Sequence, residues 1–374
     1  MTKYMMISSD SHVVEPPDLW TDGMEPDFKD RAPEVKADDE GDYWYIDGVR
    51  TNSFQGGAQA GVRFDRPEEL EAARRWDEVM PGGYVPEECV KDNEQDGIDI
   101  SVLYPTEGLD LYSIPDGNLL SAIFRAYNNW LSDFCATNPR QLKGIAMLNV
   151  DDPDDAVSEL ERVYAKGLPG AMIPVYPPEE LSYDSNRYDV LWSAAERLGM
   201  PLSLHVGTNR ATESRGPAQV QVRHMKLSQL AAIDYFVRVS LGNLILSGVF
   251  ERFPKLKVIC VEHELAWIPS FLERLDYTYS QRAAGIQLER FKDGMTPSDF
   301  FHRNVYVSFQ EDGLGIKDRD LIGVNNLMWG SDYPHTESTY PRSVETVTRI
   351  LDGVPEDEKR KILRDNASRV YGLT

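Results

Sequence analysis

The stretch MMISSDSH (residues 5–12) is apolar at its start and ends in an aspartate, a serine and a histidine. Seven later runs share its short apolar character. They are ISVLYP (100–105), LKGIAMLN (142–149), GAMIPVYP (170–177), LSLHVG (202–207), VICVEHE (258–264), VYVSFQE (305–311) and LMWGSDYP (327–334). Because these runs are nearly continuously apolar rather than alternating, they predict parallel strands that are covered on both faces.

The segments between these runs are typical of helices. NLLSAIFRAYNNWLSDFCATNP (118–139) has apolar residues at helical spacing, Pro153 opens a second helix that ends at Gly167, and residues 188–199 predict a third. Strand and helix therefore alternate eight times, which predicts an α/β protein with a (β/α)8 TIM barrel. A doubly wound open sheet is the alternative.

A long insertion interrupts this pattern after the first strand, at about residues 20–95. It contains YWYIDGVRTN (43–52), in which the pair Asp47-Gly48 predicts a β-hairpin with a two-residue turn. We expect a single domain over residues 1–374, with the insertion acting as a lid or as a subunit contact over the mouth of the barrel.

The charge of the chain excludes several kinds of partner. The 374 residues include 39 Lys and Arg against 62 Asp and Glu, a net charge of −23. Nucleic acids and anionic membranes need a basic face, so we expect neither as a partner.

The cysteines Cys89, Cys135 and Cys260 form no CxxC pair, and we see no signal peptide or membrane-spanning run. These features predict a cytoplasmic protein with a small-molecule substrate.

Potential metal ligands stand at the ends of the predicted strands, where active sites of this fold lie. They are Asp10, His12, His205, His263 and Asp332, and Glu262 also stands at the end of the sixth strand. Asp10 and His12 are two residues apart and point to the same side of a strand, whereas Glu262 and His263 are neighbours and only one faces inward. Imidazole and carboxylate donors suit Zn²⁺, Fe²⁺ or Mn²⁺.

Further residues near these strand ends are candidates for the site. Glu15 is either an extra ligand that bridges a second metal or a carboxylate held by backbone donors or solvent. Tyr104, Trp267 and His335 are expected to line the substrate pocket. Arg210, with Arg215 and Arg223 in the same loop, is a candidate for pairing with a substrate carboxylate.

Several segments carry a family resemblance, and they cover the chain from residue 7 to its end except for the insertion. They include ISSDSHVVEP, SGVFERFPKLKVICVEHELAWIPSFLERLD, MWGSDYPHTES and KILRDNASRVYGL. The chain resembles the amidohydrolase-related family typified by aminocarboxymuconate-semialdehyde decarboxylase and the resorcylate-type decarboxylases. The resemblance implies that His12, His205 and Asp332 bind metal and that His263 is a ligand or transfers a proton.

One departure from the family pattern bears on the number of metal ions. Val14 stands where the DxHxH motif has its second histidine, so Asp10 and His12 are the donors of the first strand and a single ion is the expectation. Zn²⁺ is our first choice, and Fe or Mn, possibly as a dinuclear centre, is the second.

These observations predict a metal-dependent enzyme that hydrolyses or non-oxidatively decarboxylates a small carboxylate-bearing or cyclic compound. His263 and Asp332 are the expected catalytic residues. One alternative is a dinuclear iron or iron/manganese oxygenase on the same barrel. A second is a metal-binding partner subunit of a catalytic paralogue. We expect a homo-oligomer or a pairing with such a paralogue.

Overall fold

Eight parallel strands form a sheet whose strand order follows the chain. The structure is a computed structural model that describes residues 5–210, 228, 231–282 and 290–373. Its strands, in chain order, are β1 Ile7–His12, β2 Glu34–Ala37, β3 Asp42–Ile46, β4 Val49–Ser53, β5 Ile100–Tyr104, β6 Leu142–Met147, β7 Gly170–Ile173, β8 Leu202–His205, β9 Val258–Val261, β10 Val305–Phe309 and β11 Leu327–Trp329. Strands β2, β3 and β4 form a separate antiparallel sheet.

Backbone hydrogen bonds between β1 and the segment that follows β11 close the parallel sheet. The Asp332 N–H donates to the Asp10 carbonyl at 2.8 Å, and the His12 N–H donates to the Tyr333 carbonyl at 2.6 Å. An open doubly wound sheet would leave both of its edge strands without such partners. The prediction of a (β/α)8 barrel is therefore confirmed.

Buried serines fill the seam where β1 meets β10 and β11. Ser9 Oγ lies 2.7 Å from Ser308 Oγ and donates a hydrogen bond to the Trp329 carbonyl at 2.9 Å. The hydroxyl oxygens of a second group lie 2.8–3.1 Å from one another: Ser8, Ser11 and Ser331. Because buried hydroxyls stabilise a fold only when they are hydrogen-bonded, these mutual contacts fix the register of the seam.

Gly330 marks the closest approach of the two chain segments at this seam. A Cβ atom at this position would lie 2.5 Å from the Cβ of Asp10, 3.0 Å from the Asp10 backbone nitrogen and 3.1 Å from Ser308 Oγ. Such distances are sterically forbidden, so only glycine lets the two backbones approach this closely. Asp10, on β1, and Asp332, just beyond the end of β11, thereby stand close together.

Helices cover the outside of the barrel. Within the described ranges they are Leu19–Gly23, Val62–Asp65, Pro86–Asp96, Glu107–Leu111, Gly117–Ala136, Pro153–Ala165, Asp189–Leu198, Asp234–Leu246, Val249–Arg252, Ile268–Tyr277, Pro297–Asn304, Gly313–Lys317, Arg319–Ile322, Ser343–Ile350, Glu356–Arg360 and Asn366–Tyr371. The predicted proline start holds, because Pro153 follows Asp152, whose side chain accepts two backbone N–H bonds. None of the described helices is long and apolar enough to cross a bilayer.

The insertion contains the predicted hairpin and one strand that the sequence did not indicate. Asp47 and Gly48 connect β3 to β4 with φ values of 50° and 79°, the left-handed geometry that two-residue hairpin turns need. β2 adds to the other side of β3. The sheet is anchored by Trp44, whose ring meets that of Trp20 edge to face with 5.0 Å between centroids. This contact joins the insertion to the barrel's own core.

Replacing Gly48 with alanine is expected to lower the free energy of unfolding by about 1 kcal/mol, because a Cβ is strained at positive φ. The strain alone is responsible, since nothing lies within 4 Å of the added atom. Gly242→Ala is the control: this helical glycine also has open space around it, and alanine should stabilise by about 0.5–1 kcal/mol. Urea unfolding of both variants checks the prediction, and an unchanged stability of Gly48→Ala would contradict it.

Candidate metal centre and active-site cavity

Strand ends bring histidine and carboxylate side chains together at one end of the barrel. The ligand atoms of Asp10, His12, His205 and Glu262 all lie within 4.8 Å of one another, as do those of His12, Asp332 and His335. The Nε2 atom of His12 lies 3.4 Å from Asp10 Oδ1 and 3.1 Å from Asp332 Oδ1. His205 Nε2 lies 3.6 Å from Asp10 Oδ1 and 3.7 Å from Glu262 Oε2. These residues are called the donor cluster below.

Five atoms of the donor cluster are buried without a hydrogen-bond partner. They are Asp10 Oδ1, His12 Nε2, His205 Nε2 and both carboxylate oxygens of Asp332. Leaving one such group unsatisfied costs about 1–3 kcal/mol, so five converging on one place indicate a site that binds an ion. A divalent cation satisfies nitrogen and oxygen donors together, and the residues present fit such an ion.

The outer nitrogens of the two imidazoles are held by backbone carbonyls. His12 Nδ1 lies 2.7 Å from the Pro105 carbonyl, and His205 Nδ1 lies 2.9 Å from the Val206 carbonyl. A carbonyl only accepts, so each Nδ1 carries a hydrogen, which leaves each Nε2 as the nitrogen that can bind a metal ion. This arrangement fixes the tautomer that a metal ligand needs.

Burial and mutual charge set the protonation of the cluster. Burial raises the pKa of Asp332, but the interactions with His335 and His12 outweigh it and hold that pKa well below its usual value. Burial, reinforced by the charges of Asp332 and Asp10, raises the pKa of Glu262 well above its usual value. The cluster thus contains an ionised aspartate beside a glutamate that favours its protonated form.

A cavity of about 660 Å³ opens above the donor cluster. Its lining comes from the strand ends and from the insertion: Gln55, Gly56, Gln59, Leu70, Glu71, Thr106, Leu109, Asp110, Val206, Ile233, Glu262, Asp332, His335, Thr336 and Glu337. A cavity of this size accommodates a small organic molecule. Asp332, Glu262 and His335 belong both to the cluster and to the cavity lining, so a bound molecule would meet them directly.

The ring of His335 packs against that of His12, and Thr106 sets its orientation. Its ring stacks on that of His12 with 3.8 Å between centroids. Thr106 Oγ1 donates its single hydrogen to the Val13 carbonyl at 2.7 Å, so the 2.9 Å contact with His335 Nε2 must be donated by the histidine. His335 Nδ1 then faces Asp332 Oδ1 at a distance of 3.0 Å.

Glu262, rather than His263, is the sixth-strand residue that joins the cluster. The chain leaves β9 at Val261 and takes a positive φ of 62° at Glu262, which turns that carboxylate toward the cluster. His263 faces the other way, with its two ring nitrogens 3.3 Å from the carbonyls of Ile233 and Leu204. Burial and the neighbouring His205 lower the pKa of His263 to about 3, so it stays neutral. This placement corrects the expectation that His263 is a metal ligand.

Glu15 lies outside the cluster, which corrects its proposed role as a bridging ligand. Its carboxylate accepts the backbone N–H groups of Thr106, Glu107 and Gly108 at 3.3, 3.0 and 2.9 Å. This is the backbone-held alternative considered from the sequence. Val13, Val14 and Glu15 follow the end of β1, so strand alternation no longer governs where their side chains point.

Glu15→Gln is expected to leave the number of metal ions per chain unchanged and to lower the free energy of unfolding by about 1–3 kcal/mol. The amide –NH₂ replaces an acceptor with a donor opposite backbone N–H groups. Metal analysis and urea unfolding test this, with the exposed Glu345→Gln as the control. A fall in the metal count would return Glu15 to the ligand set.

Arg210 is occupied by contacts within the protein. Its guanidinium is 2% exposed and pairs with Asp151, with Nε at 3.0 Å from Oδ1 and Nη2 at 2.5 Å from Oδ2. Its remaining bonds go to the carbonyls of Tyr112, Ile114 and Pro115. The proposed pairing of Arg210 with a substrate carboxylate is therefore corrected, because these donors already have partners. Arg215 and Arg223 lie outside the described residues.

Arg210→Met is expected to lower the free energy of unfolding by about 3–5 kcal/mol, the range for breaking a buried ion pair. KM should stay near its wild-type value in the protein that remains folded, because the side chain does not reach the cavity. The exposed pair of Arg197 with Glu161 supplies the control, and Arg197→Met should cost about 0–1 kcal/mol. A stable Arg210→Met protein with a raised KM would restore the substrate-binding role.

Two aromatic residues that were predicted to line the pocket make hydrogen bonds outside the cavity. Tyr104 lies beneath the cluster, with its hydroxyl 2.8 Å from Ser203 Oγ and 3.0 Å from the Tyr371 hydroxyl. Trp267 donates its indole N–H to the Glu264 carbonyl at 3.0 Å. Neither is among the described residues that line the 660 Å³ cavity.

Thr106 lines the cavity but was not predicted from the sequence. The one signal for it is its position just after the end of strand β5.

An α/β barrel that presents histidine and carboxylate donors at the carboxyl ends of its strands defines a metal-dependent barrel enzyme. The chain belongs to the amidohydrolase family, because the Amidohydro_2 profile, described as amidohydrolase, matches residues 72–373.

Curated proteins and solved structures agree with this assignment. A gamma-resorcylate decarboxylase from a Rhizobium species is 28% identical over 273 residues, which cover 70% of this chain and 79% of the relative. The crystal structure of an amidohydrolase from Mycobacterium avium subsp. paratuberculosis K-10 covers 100% of both chains, with a TM-score of 0.79 and 22% identity. A dihydroxybenzoic acid decarboxylase from Polaromonas sp. JS666, solved with bound manganese and the inhibitor 2-nitroresorcinol, covers 99% of this chain and 97% of its own, with a TM-score of 0.64 and 19% identity.

The comparisons confirm the prediction of an enzyme of the hydrolase or decarboxylase type. The relatives named above are decarboxylases or amidohydrolases, and none is an oxygenase, so the oxygenase alternative gains no support. The described part of this chain contains a cluster of donors that fits a metal ion.

Proposed function

We propose that this protein catalyses the non-oxidative decarboxylation of an aromatic carboxylate that bears ring hydroxyl groups. The observation that carries the proposal is the set of five unsatisfied buried donor atoms at the floor of a 660 Å³ cavity. The decarboxylase relatives support the choice of reaction over hydrolysis.

Asp10, His12, His205 and Asp332 would hold one divalent ion. When bound, such an ion polarises substrate oxygens and neutralises the charge that develops on them. Zn²⁺, our first choice from the sequence, and Mn²⁺, which a relative carries, both accept two imidazoles and two carboxylates. Metal analysis of protein purified without added metal distinguishes them, and the expected count is one ion per chain.

Residues of the chain itself supply the proton that the reaction consumes. When the ring–carboxylate bond breaks, its electron pair stays on the ring carbon, carbon dioxide leaves, and a proton must be added to that carbon. Asp332 and His335 face each other at the cavity floor, 3.0 Å apart, and we assign the delivery of this proton to Asp332, which receives it through His335. Thr106 keeps His335 facing Asp332, so solvent can restore the proton through the imidazole.

Incubation of metal-loaded protein with gamma-resorcylate and related hydroxybenzoates tests the proposal. We expect release of one carbon dioxide per product and, in deuterium oxide, one deuterium on the carbon that lost the carboxylate. Oxygen uptake should be absent. Hydrolytic products, or turnover that depends on oxygen and on two metal ions per chain, would favour the other reactions considered.

The predicted cytoplasmic location, single-domain organisation and pairing with a second copy or a paralogue stay predictions. Sedimentation of the purified protein measures its subunit number. If the purified chain turns over substrate by itself, it is not merely an inactive partner subunit of a catalytic paralogue.

A further inference from the structure

One wall of the cavity comes from the insertion rather than from the barrel. We call residues 55–71 the insertion wall. Its lining residues are Gln55, Gly56, Gln59, Leu70 and Glu71. The wall reaches the catalytic groups, since a Cβ added at Gly56 would lie 3.6 Å from Thr106 Cγ2 and 3.9 Å from His335 Cδ2. None of the ligand atoms in the donor cluster belongs to it.

Gln59 ties the two ends of the insertion wall together. The side chain is buried, at 2% exposure, and its Nε2 donates to the carbonyls of Gln55 and Glu71 at 3.1 and 2.9 Å. Its Oε1 accepts the Glu71 N–H at 2.8 Å and the Arg74 Nε–H at 3.4 Å. An amide side chain has two donor hydrogens and two acceptor lone pairs, and all four are used here.

Arg63 docks the insertion wall on the barrel. Its Nε donates to the Ser338 carbonyl at 2.9 Å, and Nη2 pairs with Glu311. Ser338 follows the segment after β11 that carries Asp332 and His335, and Glu311 follows β10. The Arg63–Glu311 pair is about a quarter exposed, at 28% and 26%, so water screens it only in part. Because Arg63 contacts the loops that follow both β10 and β11, it holds the insertion wall against the barrel, and we call this set of contacts the clamp.

We propose that Arg63 and Gln59 are positioning residues for substrate binding, which hold the insertion wall over the donor cluster as a fixed side of the cavity. The inference rests on the proposed function. Gln59 gives the wall its shape and Arg63 gives it its place, whereas the metal donors come from the barrel strands. Displacing the wall therefore widens the cavity and admits water without removing a metal ligand. Binding of the substrate ring is the property that suffers.

Arg63→Met removes the clamp, and Arg63→Lys restores a cation that reaches one of the two acceptors. We expect Arg63→Met to raise KM about 10- to 100-fold with kcat changed far less, since misplacement of a contact surface costs binding and orientation. The lysine variant should recover part of the loss. Arg349→Met is the matched control, because Arg349 also pairs with Glu311 but is 62% exposed and lies outside the insertion wall.

Two further measurements separate positioning from general instability. Metal content and urea stability should match the wild type in Arg63→Met, while amide exchange accelerates within residues 55–71. Gln59→Glu places an acceptor opposite the Gln55 and Glu71 carbonyls and should likewise accelerate exchange within residues 55–71. Loss of activity in proportion to lost metal, or wild-type KM and exchange in Arg63→Met, would overturn the inference.

Failure of the proposed function gives a different result. A wild-type protein that releases carbon dioxide from no aromatic carboxylate defeats the proposed function, and the exchange comparison still decides whether Arg63 and Gln59 hold the wall. If the wild-type protein decarboxylates its substrate and KM is unaltered in Arg63→Met and in Gln59→Glu, only the positioning role is defeated.

Discussion

Asp332→Asn is expected to lower kcat/KM by about 10³-fold or more, the scale for losing a charged group at the reacting centre. The aspartate contacts both His12 and His335, and its two oxygens lack hydrogen bonds within the described protein. Asparagine keeps the shape but removes the negative charge and places an –NH₂ group where an acceptor stood. It can neither accept and deliver a proton as a carboxylate does nor offer a second oxygen to an ion.

The comparison variant is Asp352→Asn, which alters an exposed aspartate far along the chain and should leave turnover unchanged. Steady-state kinetics with metal restored to the buffer isolates the proton-transfer contribution from loss of the ion. If saturating metal returns Asp332→Asn to wild-type turnover, Asp332 acts only as a ligand. Full activity without added metal would remove Asp332 from the site altogether.

His12→Gln is expected to reduce bound metal to a small fraction of one ion per chain and to abolish turnover. His12 belongs to both groups of ligand atoms, so its Nε2 is the donor that the two groups share. Losing a ligand from such a site weakens affinity by at least the 10- to 100-fold seen for altered outer-shell partners. The neutral amide of glutamine is a poorer donor than the imidazole lone pair.

His302→Gln makes the same chemical change at an exposed histidine outside the cluster and should retain metal and activity. Measuring metal by mass spectrometry after dialysis avoids dependence on any substrate. Retention of one ion per chain in His12→Gln would show that the site is organised around other residues. Circular dichroism of each variant confirms that its fold is intact.

The strands could be predicted because their composition is local. Continuous apolar runs specify buried parallel strands wherever they occur, and the pair Asp47-Gly48 specifies its turn through the conformations that aspartate and glycine tolerate. Asp10, His12 and His205 lie on strands, where side-chain direction follows from position. The same reasoning placed Asp332 near them, although it lies just beyond β11.

Residues beyond the strand ends were harder to predict, because the backbone there no longer alternates. The positive φ at Glu262 reverses the choice between that glutamate and His263, and a single sequence contains no sign of it. The prediction that Arg210 pairs with a substrate carboxylate did not hold for another reason. Its partners, Asp151 and the carbonyls of Tyr112, Ile114 and Pro115, are distant in sequence, so only the folded chain reveals that its donors are occupied.

The absence of a side chain at Gly330 has a consequence for how this enzyme can change. Any larger residue there would press on Asp10, since even one added carbon would lie 2.5 Å from its Cβ. The distance between β11 and β1, and with it the spacing between Asp10 and Asp332, is therefore under steric control from behind the site. New substrate preferences can arise by altering the loops of the cavity, whereas this glycine sets a dimension of the metal centre that mutation can only enlarge.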